Sequence, residues 1–259
     1  MRKSVDQNHV IKLMQEGASE AALRLLEEAL RSEELTVAPE RPDIFMTMFL
    51  WTQLAEQYPP ARLALQSVRD AQVERLLAGD VYFGPGGGDT GEYFMPISRF
   101  SLIVDINKTL RELPSTCEVF LKLHSDHPAL ARRYASSALP ALVEAGQFTL
   151  ADQYRDDPLR WLESVNEVAL TFALHPQPIE APRLAAQLTN LVSDVRIGAA
   201  VLRGLGRASE ADVLLETLLS GLSSGELKTA ARRELDAPGT IIREFVDHQM
   251  VMEARDARL

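Results

Sequence analysis

Three stretches of this chain hold residue types that do chemistry in the right setting. The first is Gly84-Pro85-Gly86-Gly87-Gly88-Asp89-Thr90-Gly91, with Tyr82 and Phe83 before it and Tyr93 and Phe94 after it. Glycine-rich loops can cradle phosphate in their backbone N–H groups. They then need a Lys and a Ser or Thr after the last glycine to reach the phosphate and its magnesium. Here Glu92 and Tyr93 follow instead, and Asp89 and Glu92 repel an anion. Asp89-Thr90-Gly91 also spells the aspartic-protease triplet, but that chemistry pairs two such aspartates and the chain has one copy. The stretch reads as an insertion between helices. Its functional reading is a lid or a partner-gripping loop, with Tyr82, Phe83, Tyr93 and Phe94 as exposed aromatic binding anchors.

The second stretch, His124-Ser125-Asp126-His127, offers two imidazoles and a carboxylate at a spacing a metal can use. No further ligand cluster accompanies it, and Asp126 before Pro128 suits an ordinary helix junction. The third is Cys117, the only cysteine. Its neighbours Val119 and Phe120 make it a small buried residue rather than a nucleophile. We therefore expect no catalytic residue, no metal site and no cofactor from these motifs.

The elements that would position such residues are helices. The 259 residues are 46% hydrophobic, 25% charged and only 6% aromatic, which supplies a core and favours helix over sheet. A formal charge of −10 with no basic cluster excludes nucleic acid as the main partner. One cysteine permits no intramolecular disulfide. The start, MRKSVDQNHVIKL, lacks the apolar stretch of a signal peptide. The longest apolar run, Ile44–Trp51, falls far short of the roughly 20 residues of a membrane span. The expected setting is the cytoplasm, away from membranes.

Apolar periodicity predicts helices over Val5–Gln15, Ala18–Arg31, Asp43–Tyr58 and Leu63–Leu77, then Arg99–Leu113 and Cys117–Leu123. Pro114 is expected to break one helix, and Pro140 to kink or divide the helix that starts at Asp126. Further helices are expected from Pro158 to Phe172, Ala181–Leu191, Asp194–Leu205, Ala208–Leu219, Glu226–Leu235 and Thr240–Ala257. In the last, Ile241, Ile242, Phe245, Val246 and Met250 make one apolar stripe, which caps the array or pairs two copies into a homodimer. The chain accordingly divides into N-terminal hairpins (1–78), the Gly/aromatic loop (79–98), a central helical region (99–175) and a C-terminal one (176–259). His175-Pro176-Gln177-Pro178 marks the last boundary.

One pattern recurs. Gly17, Ala22, Leu26, Ala29 and Leu30 share their spacing with Gly206, Ala211, Leu215, Leu218 and Leu219, and Gly146 with Ala151 repeats its beginning. A glycine ends one helix, an alanine lets the next pack closely, and leucines fill the groove. These residues resemble the second helix of a tetratricopeptide repeat. The three glycines are not spaced by multiples of that family's period of about 34 residues. Two all-α architectures of stacked antiparallel hairpins therefore stay open: a tetratricopeptide-like solenoid and an irregular helical bundle.

The resemblance implies a non-catalytic interaction or scaffold module, holding a partner's peptide or helix on a concave face made by the first helices of successive hairpins. The alternative is a helical-bundle enzyme or small-molecule receptor, with the 79–98 loop as lid and Ile44–Trp51 and Trp161 lining its pocket.

Overall fold

The computed structural model describes residues 6–36, 44–85, 97–178 and 180–256. Among them the fold is all-α, with a single isolated bridge, Tyr82 to Ser98, outside the helices. The chain divides into two compact units, Met1–Ala141 and Leu142–Leu259.

The first unit holds α1 (Gln7–Gln15), α2 (Ser19–Glu34), α3 (Ile44–Gln57), α4 (Pro59–Leu77), α5 (Arg99–Leu110), α6 (Leu113–Asp126) and most of α7 (Pro128–Glu144). Successive helices from α1 to α6 pack on one another. Their core joins Leu26 and Leu30 of α2, Trp51 and Leu54 of α3, Leu65 of α4 and Ile106 of α5. Trp51 is wholly buried, and its indole N–H donates to the Ala61 carbonyl at 3.1 Å. That bond seats α3 on the first turn of α4.

The second unit holds α8 (Phe148–Tyr154), α9 (Leu162–Val168), α10 (Arg183–Gly204), α11 (Ala208–Gly221), α12 (Gly225–Asp236) and α13 (Thr240–Asp256). Here α10 is the centre, packing on α8, α9, α11, α12 and α13. Its buried face runs from Leu184 to Leu202. His175–Pro178 lies inside this unit.

The recurrent glycines do one backbone job three times. Gly17, Gly146 and Gly206 have φ of 75°, 70° and 77°, the left-handed region that disfavours any residue with a Cβ. Each turn closes with the paired bonds of a Schellman motif: Ala18 N–H to Leu13, Gln147 N–H to Leu142 and Arg207 N–H to Leu202, all at 2.8 Å. Five residues after each glycine, Ala22, Ala151 and Ala211 are fully buried. Arg111 makes the same turn without being glycine, at φ 56°.

Several boundaries differ from the expectation. Pro114 opens α6 instead of breaking a helix, because its missing N–H is already an orphan in a first turn. α7 runs through Pro140 undivided. α10 is one helix of 22 residues where two were expected, since no glycine or proline falls at its Val192–Ser193 middle. The helix expected from Pro158 is confined to α9 and a preceding turn.

The α13 stripe separates into two faces. Ile241 is buried while Ile242, Val246 and Met250 are exposed, and Glu234 caps the helix start by accepting from the Gly239 and Ile241 amides at 2.7 and 2.9 Å.

Close approach to α10 depends on small residues. A Cβ on Gly198 would meet Pro158 at 2.6 Å, and one on Gly204 would overlap the Phe148 ring near its base. Gly204→Ala should gain up to about 1 kcal/mol of helix propensity but lose roughly 1–3 kcal/mol to overpacking. A net loss is the expected outcome. Urea denaturation followed by circular dichroism would reveal it as an earlier transition, and an unchanged or later midpoint would refute the close contact.

Candidate functional site

The strongest electrostatic feature among the described residues sits at the stretches that flank the glycine-rich segment, Asp80–Phe83 and Ile97–Arg99. Ser98 caps α5 through its hydroxyl, which accepts from the Ser101 amide at 3.2 Å, and Arg99 is the first residue of that helix. Its side chain is completely buried. A cation there is unfavourable twice over, since it is desolvated and lies at the positive end of the helix dipole. The chain answers with a full set of acceptors.

Arg99 Nε donates to the Asp80 carbonyl at 2.8 Å, and Nη2 donates to Asp80 Oδ2 and the Tyr82 carbonyl, each at 2.7 Å. Nη1 donates to Glu34 Oε1 at 2.7 Å and to Gln72 Oε1. All five guanidinium donors are used. Arg75 joins the same two carboxylates, to Glu34 and to Asp80 Oδ2 at 2.7 Å, so two cations face two anions. The guanidinium also stands 6.0 Å from the centre of the Phe83 ring. Burial pushes the Asp80 carboxyl upward in pKa, but hydrogen bonds from Arg75 and Arg99 outweigh it and hold the group below its ordinary range.

This clamp ties α2, α4 and α5 to a narrow neck. Tyr82 and Ser98 bridge antiparallel, the Phe83 amide donates to the Ile97 carbonyl at 2.9 Å, and the Arg99 amide donates to Val81 at 3.0 Å. Of the four expected aromatic anchors, Phe83 is wholly buried in the core, which corrects its reading as an exposed contact. Its amide and ring are both spent on closing the neck. Tyr82 is half-buried, with Arg133 over its ring at 5.2 Å. Tyr93, Phe94 and the triplet Asp89-Thr90-Gly91 lie outside the described residues.

Beside the clamp, an open cleft of about 360 Å³ runs between α2 and α4. Leu30, Trp51 and Val68 give it an apolar floor. Ala64, Ser67 and Ala71 form one wall, and Glu27 and Arg31 form the other. Glu34 and Gln72 belong to both clamp and cleft, so the bonds that neutralise Arg99 also fix the cleft's inner end. The lining helices are the second members of their hairpins, with α3 contributing Trp51 from below.

A second polar network holds the far side of α4. Glu112 accepts from Gln66 at 2.7 Å and pairs with Arg69, while the buried Asn107 donates to Thr116 at 3.0 Å. Burial raises the Glu112 pKa, but hydrogen bonds from Arg69 and Gln66 bring it below its ordinary range. Sequence reasoning missed both networks. Their members are scattered, and Arg99 and Glu34 are 65 residues apart.

The remaining chemical candidates stay apart. Cys117 is buried, and burial, with Glu118 adding, pushes its thiol pKa up, away from a reactive thiolate. Among the described residues no group of three or more His, Cys, Asp or Glu is placed to hold a metal ion, and no helix is long and apolar enough to cross a membrane. The fold does bring His175 and His248 together, with ring centres 5.5 Å apart. No family model, curated protein or solved structure matches the chain.

The two depressed carboxylates set an acid limit. A group whose folded pKa is lowered contributes stability above its unfolded value, and loses it as pH falls through the folded one. The first unit should therefore be level in stability down to about pH 5 and weaken below about pH 4. Asp80→Asn should cost about 1 kcal/mol at pH 7, given the exposure of Asp80, and flatten the acid slope. Urea midpoints measured by Trp51 fluorescence in a Trp161→Phe background would check both, and an unchanged acid slope would contradict the clamp.

Proposed function

We propose that this chain is a non-catalytic protein-interaction module of the cytoplasm, a diverged tetratricopeptide-like array that holds a short segment of a partner protein in the α2–α4 cleft. The observation that carries this reading is the cleft itself. It is open, floored by Leu30, Trp51 and Val68, and edged by Glu27 and Arg31, a charge pattern that suits a peptide better than a single small ion. An apolar side chain of the partner would rest against Val68 on that floor while its flanking polar residues meet the rim. The clamp supports this by holding the cleft's inner end before any partner arrives, which lowers the entropic cost of binding. The tetratricopeptide-like relationship draws support from the three left-handed glycine turns, each followed by an alanine buried five residues later.

Ser67 and Ala71 lie one turn apart on the exposed wall of the cleft and take no part in the clamp. Ser67→Trp and Ala71→Trp should change folding stability by no more than about 0.5 kcal/mol while filling the cleft. Affinity capture from native extract, beside the intact chain, should recover a stoichiometric protein that both variants lose. A partner held equally well by both variants would remove the cleft from consideration.

A second mode of association rests on the outward row Ile242, Val246 and Met250 of α13, between 43% and 63% exposed and spaced one turn apart. Packed against the same row of another copy, it would make a homodimer. Light scattering should then give a dimer mass that Val246→Lys converts to monomer. A monomeric intact chain would dismiss this mode.

A further inference from the structure

We propose that the second unit carries a binding site for a proline-rich segment of a partner protein, built on the half-exposed Trp161 and the cavity between α9 and α10. The site is separate from the α2–α4 cleft and does not rest on that cleft binding a peptide. Trp161, Ser164 and Val165 line the cavity from α9 and its N-cap, and Gln187 and Asn190 line it from α10. Its volume of about 240 Å³ lies below the roughly 300–1,000 Å³ of small-molecule sites. That size suits one or two side chains of a longer ligand lying on the surface.

Trp161 is the anchor. Trp51 is wholly buried in the first unit, whereas Trp161 is 51% exposed, so half of its surface is left for a partner to cover. Tryptophan is enriched among the residues that carry most of the energy of an interface. The ring is also held in place. The Arg160 guanidinium stands 5.5 Å from its centre and pairs in turn with Asp156 and, on α10, with Asp194 at 3.8 Å. A side chain fixed before binding loses little entropy when it is covered.

The polar lining selects the occupant. No charged side chain is among the five residues, so a charged group of a partner would lose hydration there and meet no counter-charge. The Trp161 indole N–H, the Ser164 hydroxyl and the Asn190 side-chain amide make no hydrogen bond to another described residue. The indole is a donor only, and Ser164 and Asn190 can each donate as well. The ligand must therefore bring acceptors and apolar rings without charge. A polyproline II segment does so: its rings pack on tryptophan, its carbonyls stay unbonded within the chain, and proline has no N–H to leave unpaired. An amphipathic helix fits less well, because its carbonyls are spent on its own hydrogen bonds.

Titrating the full ¹⁵N-labelled chain with decaproline should move the Trp161 indole and Asn190 side-chain amide signals to saturation in the roughly millimolar range. A glycine–serine decapeptide should leave both in place. Trp161→Ala should weaken decaproline about tenfold or more, read from the Asn190 signal. Asn190→Ala, at an exposed position of α10, should weaken it about threefold, read from the Trp161 signal, and decides the matter if the Trp161 variant does not fold. The proposal is overturned if decaproline moves neither signal, or if it moves only the Trp51 indole, which would put the peptide in the α2–α4 cleft. It is equally overturned if the glycine–serine peptide binds as well, or if either folded variant binds decaproline as tightly as the intact chain.

Discussion

A buried guanidinium at a helix start sets the terms for the first unit. Arg99 is fully buried at the end of α5 where a cation is least welcome, and it is tolerable only with all five donors and its charge answered. The acceptors come from α2 (Glu34), α4 (Gln72) and the chain just before the glycine-rich segment (Asp80 and Tyr82). Four parts of the chain must therefore arrive together, and none can shift without exposing an unpaired charge. The cleft inherits this stiffness, because Glu34 and Gln72 line it. The neck inherits it as well, since the backbone bonds of Val81, Phe83 and Arg99 lie within the same few residues.

The second unit is organised by the opposite means. Its centre, α10, is buried through Leu, Val and Ala, and its neighbours come close because Gly198 and Gly204 have no side chain to hold them off. Such a core tolerates no added volume, but it leaves the polar side chains at its margin unconstrained by charge. Asn166 shows one outcome: its amide donates to the Gly221 carbonyl and accepts from the Ser223 amide, both at 2.9 Å. Gln187 shows the other, a buried oxygen that the protein leaves without a donor.

What the sequence made legible was local. The all-α class followed from 3.6-residue periodicity, and the turns at Gly17, Gly146 and Gly206 from a residue type whose conformational freedom the turn requires. Proline was harder to read, because its effect depends on position: Pro114 begins a helix and Pro140 lies within one. α10 is one helix where Ala181–Leu191 and Asp194–Leu205 are expected from the sequence, and it packs on five neighbours along its length. The candidate site was hidden for a different reason. Arg99 reads as an ordinary polar residue at a helix start, and its partners lie 19, 27 and 65 residues away. Phe83 reads as a loop aromatic for the same reason, since only the neck shows where its ring goes. The apolar residues of α13 could be found but not assigned to faces, because Ile241 and Ile242 are adjacent and point to different sides.

In the α2–α4 cleft the inner polar groups are already engaged: Glu34 through Oε1 with two arginines, and Gln72 with Arg99. A ligand gains little by hydrogen-bonding to them, so recognition there falls to the apolar floor and to the outer charges Glu27 and Arg31. Those features reward area and sequence pattern, as a peptide provides.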